Sequence, residues 1–249
     1  MTNRLRRDDS GTTLAELLIG MTIFTVLMAA VTTMAIGYHR VNAQSVARQD
    51  QIDATRTASE RLTKVIRTAV KPSQLISCAT SVCSDIDAFV SASTTSMKFY
   101  ANLDNAGNTV GPRQVTYAFE ATGTGVGRLV ERVQRPDSST PGSNGYSYCD
   151  ATSAGASAAC RSRMTSKVLA EGVRTDGPVP LFTYFDNAGA AMTPGTGGAL
   201  TSAQIDQVLS IEFTLRVRSD DQNSTGPTTY IQRILLPNSQ AVLRPGEDE

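Results

Sequence analysis

From Leu17 to Gly37 the run "LLIGMTIFTVLMAAVTTMAIG" holds no charged side chain. At a helical rise of ~1.5 Å per residue it spans about 30 Å, the hydrocarbon thickness of a bilayer. In lipid every backbone polar group has to be satisfied within the segment, which leaves a helix as its structure. Frequent threonines make the run only moderately apolar. Arg4, Arg6 and Arg7 precede it, so the positive-inside rule places the N-terminus in the cytoplasm and everything after Tyr38 outside. Three readings of the segment stand side by side. It is a secretory signal peptide cut at "AIG" (35–37), a signal anchor, or a helix retained after a cut on the cytoplasmic side, behind Gly11.

Composition fits export without proving it. The 249 residues allow one large domain or two small ones. Charged residues make up 18% and the formal net charge is zero, so no chain-wide basic field for nucleic acid exists. The four cysteines fall into two local pairs, Cys78 with Cys83 and Cys149 with Cys160, in Ser/Ala/Gly-rich stretches. Local disulfides outside the cytoplasm suit that spacing. Four free thiols, or one zinc site made from all four, are the alternatives, although the spacing is wrong for the usual zinc ribbons.

The apolar run is entered through "SGTTLAELLIGM" (10–21), with the lone carboxylate of Glu16 at its edge. One local account is a capping box, Thr13-Leu-Ala-Glu16. The wider segment "GTTLAELLIGMTIFTVL" resembles the N-terminus of type IV prepilins and type II secretion pseudopilins. In that family a basic leader ends in glycine, and glutamate stands fifth in an apolar mature helix. With Thr12 counted first, Glu16 is fifth, and Leu14, Leu17, Leu18, Ile19, Met21 and Ile23 continue the pattern. The resemblance implies cleavage by prepilin peptidase after Gly11 and N-methylation of the new Thr12 amine. Thr12 departs from the Phe or Met usual there. It also implies that Glu16 neutralises the N-terminal amine of a neighbouring subunit during assembly. An unpaired charge in hydrocarbon costs on the order of several kcal/mol, which gives such a pairing its physical reason.

Beyond the membrane run the helix is expected to continue to "KPS" (71–73), where the residue before proline avoids helix. Val46, Ile52, Thr55, Ser59, Leu62, Ile66 and Ala69 form a semi-apolar face. Arg48, Asp50, Asp53, Arg56, Arg61, Lys64 and Arg67 occupy the rest. A coiled coil is the competing reading, but the heptads are weak.

From about residue 88 the pattern turns to period two. Met97, Phe99 and Ala101 share one face, and Val115, Tyr117 and Phe119 another, around the turn "DNAGN" (104–108). "TGTGVG" (122–127) reads as a turn before the strand "RLVERVQRP". Residues 136–163 read as a surface insertion clamped by its own disulfide. "KVLAEGVR", "PLFTYFDNAGAAM", "VLSIEFTLRVRS" and "TTYIQRILLPN" read as further strands, with a loop and a short helical turn at "PGTGGALTSAQ". Leu209, Ile211, Phe213, Leu215 and Val217 line one face of the strongest of them. An antiparallel sheet with one buried face needs a cover, and the helix stripe supplies it.

The fold class is therefore α+β, a ladle whose long N-terminal helix packs on an antiparallel sheet. The chain divides into a leader at 1–11, a transmembrane or filament-core helix at 12–37, its amphipathic continuation at 38–71 and a head with cysteine-containing loops at 72–249. The strand order also resembles the W-type minor pilins and J-type pseudopilins. That resemblance implies a minor subunit at filament initiation or tip. Its partners are prepilin peptidase, other pilins through the helix, an inner-membrane assembly platform and the bilayer. Twitching pili, DNA uptake and type II secretion share the same entry sequence.

No cofactor, metal or catalytic residue is expected. His39 reads as interfacial, and no GxSxG, HExxH, Walker or Rossmann pattern occurs. A carboxylate pair such as Glu120 and Glu131 could in principle hydrolyse sugars, but the two read as the polar face of strands. The two "DNAG" copies (104–107 and 186–189) offer too few oxygens for calcium and read as turns. Asp85, Asp87, Asp220 and Asp221 read as solvated loop charges, and "NST" (223–225) is a formal glycosylation sequon. A rival reading is a tip adhesin or DNA-capturing pilin. It requires Arg113, Arg128, Arg132, Arg135, Arg161 and Arg163 to cluster on one face.

Overall fold

The computed structural model describes residues 13–75, 83, 86–105, 107, 110–195, 197–218 and 226–236. Helix α1 runs Leu14–Ile66, 53 residues, and so reaches about 80 Å. It ends before "KPS", because the next residues join the sheet. Val70 N–H donates to Tyr100 O at 2.9 Å, Asn102 N–H donates to Thr68 O at 2.9 Å, and Ala69 pairs with Ala101. A single 3-10 turn follows at Pro72–Gln74.

The head holds β1 (Phe89–Ala92), β2 (Ser96–Ala101), β3 (Arg113–Gly123), β4 (Val126–Gln134), β5 (Met164–Arg174), β6 (Phe182–Phe185), β7 (Ser210–Val217) and β8 (Thr228–Leu235). Short helices α2 (Ala158–Arg161) and α3 (Ser202–Ile205) lie in its connections. The strands form one antiparallel sheet in the order β1-β2-β3-β4-β5-β7-β6, with β8 also paired to β7. The chain is thus α+β, a long helix and an eight-stranded sheet in a pilin-like arrangement. The sheet curls until its ends meet. Phe182 N–H donates to Thr94 O at 3.0 Å and Leu200 N–H to Ala92 O at 2.8 Å.

Period-two patterning decides which side chains enter the core. Met97, Phe99, Ala101, Val115 and Tyr117 are fully buried, as are Ile211, Phe213 and Leu215. Phe119 and Leu209 are only partly buried. Strand β7, paired along both edges, also buries Ser210 and Thr214.

The helix face differs from the expected one. Val46 and Ile52 are 48% and 45% exposed. The buried face is Ala47, Gln51, Thr55, Ala58, Ser59, Leu62, Val65 and Ile66. Leu62, Val65 and Ile66 anchor in the core, and stepping back three or four residues from them leads to small and polar side chains. Their polar atoms are satisfied locally. Thr55 Oγ1 donates to Gln51 O at 2.6 Å, Ser59 Oγ donates to Thr55 O at 2.7 Å, and Thr228 Oγ1 donates to Gln51 Oε1 at 3.1 Å. Small residues there let the helix approach the sheet closely.

Registers define two poles. Ala69 faces Ala101, Ala101 faces Arg113, Gln114 faces Gln134, and Gln134 faces Met164. The end of α1 therefore meets the ends of β2 and β4 and the starts of β3 and β5. This pole lies farthest from the apolar half of the helix. A second small core, Cys83 and Tyr146 with Ile86 and Tyr148, closes it.

Both "DNAG" segments use turn chemistry among their described residues. Asp186 Oδ1 accepts from Ala188 N–H and Ala190 N–H, each at 2.9 Å, and Gly189 takes φ 76°. Asn105 Oδ1 accepts from Val110 N–H while its Nδ2 donates to Val110 O.

Asp87 departs from the solvated reading. Lys71 Nζ sits 3.4 Å from Asp87 and 3.3 Å from Asp206. Burial first, then the neighbouring Asp206, raise the Asp87 carboxyl above its ordinary range. Between the ordinary and the raised value the folded chain therefore holds a proton that the unfolded chain has released. The resulting stability is fully present below the ordinary carboxyl pKa and is lost as pH rises through the raised value. Asp87→Asn is expected to flatten the dependence of thermal midpoint on pH across that acidic window. Thermal unfolding at a series of pH values checks it, and unchanged slopes would discard the assignment. Asp85, Asp220, Asp221 and the sequon at 223–225 lie outside the described residues.

Candidate functional site: an uncovered apolar helix

The lower half of α1 packs on nothing. Every residue from Thr13 to Asn42 is exposed, and Ala47 is the first buried one. None of the most apolar window of this helix is buried, and its mean hydropathy is 2.2. Among the described residues this is the one helix long and apolar enough to cross a membrane. Leu14, Leu18, Phe24, Val26, Val31 and Met34 are each at least 63% exposed. So large a bare apolar surface marks a lipid or protein interaction site.

The threonines that weaken the hydropathy are internally satisfied. Thr22 Oγ1 donates to Ile19 O at 2.8 Å, Thr25 to Met21 O at 2.6 Å, Thr32 to Met28 O at 2.7 Å and Thr33 to Ala30 O at 2.8 Å. Each hydroxyl borrows a carbonyl of its own helix, so it enters lipid without an unmet donor. Above the run, Tyr38 and His39 lie edge to face, 6.2 Å between centroids, beside exposed Arg40. Aromatic and basic side chains at this level suit a membrane–water boundary.

At the start of α1 the capping box is complete. Thr13 N–H donates to Glu16 Oε2 at 3.0 Å, and Glu16 N–H donates to Thr13 Oγ1 at 3.3 Å. In the single chain, then, the Glu16 carboxylate closes its own helix end. Gly11 and Thr12, the expected cleavage and methylation positions, lie outside the described residues.

The other half of α1 is fastened to the head by a contact the sequence reading missed. Arg61, read as part of the polar face, turns inward. Its Nε lies 3.1 and 3.0 Å from the two Glu131 oxygens, and its Nη2 lies 2.8 Å from Oε1. Tyr117 Oη donates to Glu131 Oε2 at 2.7 Å. Glu131 is 3% exposed, a buried anchor and not the polar face of a strand. Its carboxylate raises the Arg61 guanidinium further above its ordinary value. Burial, then the charge of Glu131, push the Tyr117 phenol well up. Tyr117 therefore stays a neutral donor. Glu120 lies on the outer surface between Arg128 and Arg132; burial pushes its carboxyl up, and the two arginines together outweigh that and lower it. Each glutamate is thus held by arginine. The signal available beforehand was the position of Glu131 in phase with Leu129 and Val133, beside a tyrosine on the facing strand.

Cys149 and Cys160 form a disulfide across residues 150–159. Cys83 is also disulfide-bonded, and Cys78 lies outside the described residues. A four-cysteine zinc site is thereby ruled out. The six arginines separate. Arg128 and Arg132 go to Glu120, and Arg161 donates to Ala154 O. Arg113, Arg135 and Arg163 line one pocket.

Comparison with known proteins adds one finding. The family described as the prokaryotic N-terminal methylation motif matches residues 6–32, a stretch that contains Gly11, Thr12, Glu16 and most of the apolar run. That motif is the entry signature of type IV pilin-like proteins, which prepilin peptidase processes and which assemble with other pilin subunits. No curated protein and no solved structure matches the chain.

Proposed function

We propose that this chain is a minor pilin or pseudopilin subunit. Prepilin peptidase cuts it after Gly11, and it waits in the cytoplasmic membrane with its head outside. An assembly platform then draws it into a type IV pilus-like filament. The observation that carries this reading is the contrast within α1: a bare apolar half continuous with a half fixed to the head. Lipid covers the bare half before assembly, and neighbouring helices cover it afterwards. Glu16 then exchanges its own cap for the amine of an adjoining subunit. The disulfide-clamped insertion enlarges the pole away from the membrane, which favours an initiating or tip position over a repeated shaft position. The role is assembly and not catalysis, in keeping with two glutamates already paired to arginine.

N-terminal sequencing and intact mass of the mature protein test the reading. A chain starting at Thr12 is expected. A start at Tyr38 would make the helix a discarded signal peptide, and an intact Met1 would make it a plain anchor. Either would end the pilin reading.

A further inference from the structure

We propose that the pole opposite the membrane helix carries a binding pocket for a compact organic oxyanion, a sugar-sized molecule bearing a carboxylate or phosphate. The pocket has a volume of about 460 Å³, within the range of small-molecule sites. Arg113 enters it from the start of β3, Arg135 from just past β4, and Arg163 from just before β5. These positions are adjacent only because the register aligns the strand ends at this pole.

This positive charge is only partly neutralised, by Asp104, which also lines the pocket, and by Asp137. Arg113 Nη2 lies 3.6 Å from Asp104 Oδ2, a loose pair whose carboxylate side chain is 86% exposed. Arg163 Nη1 meets Asp137 at 3.2 Å. Among the described residues the Arg135 side chain makes one hydrogen bond, from Nη2 to Ser162 O at 3.3 Å, while its backbone N–H donates to Arg163 O at 2.9 Å. Arg113 Nε also donates to Leu103 O at 3.1 Å. Beyond these contacts, among the described residues, each guanidinium keeps further N–H donors for a ligand, and such planar forks match carboxylate and phosphate oxygens. Leu103, Val110 and Ala159 add apolar wall, which suits an anion with a carbon body.

The parts of the wall at residues 111–112 and 146–160 are braced before a ligand arrives. The Cys149–Cys160 disulfide ties one loop. Tyr148 Oη donates to Pro112 O at 2.6 Å across to the other. Gly111 lies so close under the Tyr146 ring that any side chain there would collide with it. Preorganisation of this kind lowers the entropic cost of binding. A nucleic-acid track would need an extended basic stripe. Arg128 and Arg132, which would have to extend this one, are instead paired with Glu120. The proposal does not depend on filament assembly.

Full-length protein in detergent micelles, titrated calorimetrically at low salt, tests it. The probes are glucuronate, glucose 6-phosphate, neutral glucose and a short single-stranded oligodeoxynucleotide. Saturable binding of one or both anions is expected, with none of glucose. Arg135→Gln and Arg163→Gln are each expected to weaken it about ten-fold or more. Arg128→Gln is expected to leave it unchanged. The tighter of the two anions identifies the acid group. Three results would overturn the proposal: no binding of either anion, equal binding of glucose, or equal losses in the Arg128 and Arg135 variants. Oligonucleotide binding that both variants weaken would replace the pocket with an extended nucleic-acid surface. Because the Arg135 side chain holds one exposed hydrogen bond among the described residues and its backbone bond to Arg163 O survives the substitution, its variant is expected to fold, which circular dichroism checks.

Discussion

Glu16→Gln is expected to leave the leader cut normally and to abolish entry into filaments. Glutamine keeps the acceptor oxygen that Thr13 N–H uses, so the capping box survives. What disappears is the charge. An amine on the adjoining subunit would then stand unpaired in a low-dielectric core. At about 3 kcal/mol, a modest figure for such a charge, incorporation falls on the order of a hundred-fold. Glu16→Ala also removes the cap and is expected to cost the helix start about 1 kcal/mol more. The readout is the ratio of variant to wild-type chain in sheared filaments, normalised to the mature chain in the membrane. If Glu16→Gln enters filaments as wild type does, Glu16 is a helix cap and nothing else.

Arg61→Ala is expected to destabilise the head by about 3 kcal/mol, the range for breaking a buried ion pair by deleting one partner. The effect is asymmetric. Glu131 is buried, and among the described residues its charge keeps, without Arg61, the Tyr117 hydroxyl alone. The Arg61 side chain is 37% exposed and can turn to water when Glu131 is changed. Glu131→Gln should therefore cost distinctly less. Urea midpoints of the detergent-solubilised chain, followed by near-ultraviolet circular dichroism, compare the two. Equal losses, or a loss for Arg61→Ala within the range of surface pairs, would show that the contact is an ordinary exposed salt bridge. The contact also ties α1 to β4.

Parts of this molecule were legible in advance and parts were not, for identifiable reasons. The uncharged run and the alternation in "SMKFY" and "IEFTLRV" are local periodicities, and they reappear as α1, β2 and β7. The Thr13–Glu16 cap and the Cys149–Cys160 loop are local contacts whose partners lie three and eleven residues apart. Strand β1, only four residues long, was too short for a period-two signal. The lower helix face was misplaced because Val46 and Ile52 are the more apolar choices there. The helix is turned by Leu62, Val65 and Ile66 instead, and that rotation is set by what they meet in the sheet. Asp87 looked like a loop charge because Lys71, and the Asp206 that shares it, come from distant parts of the chain.

The sequence by itself determined that an apolar rod precedes the head, that the rod starts with a capped glutamate, and that the head is built of hairpins. Each of these follows from near-neighbour chemistry: hydropathy over a continuous run, a side chain reaching three residues along, alternation across a strand. Tertiary structure alone decided that Arg61 points inward, that Glu131 is buried and that three arginines from distant segments share one pocket. Ion pairs and pockets depend on which strand ends the sheet brings side by side, and no single stretch of chain carries that information.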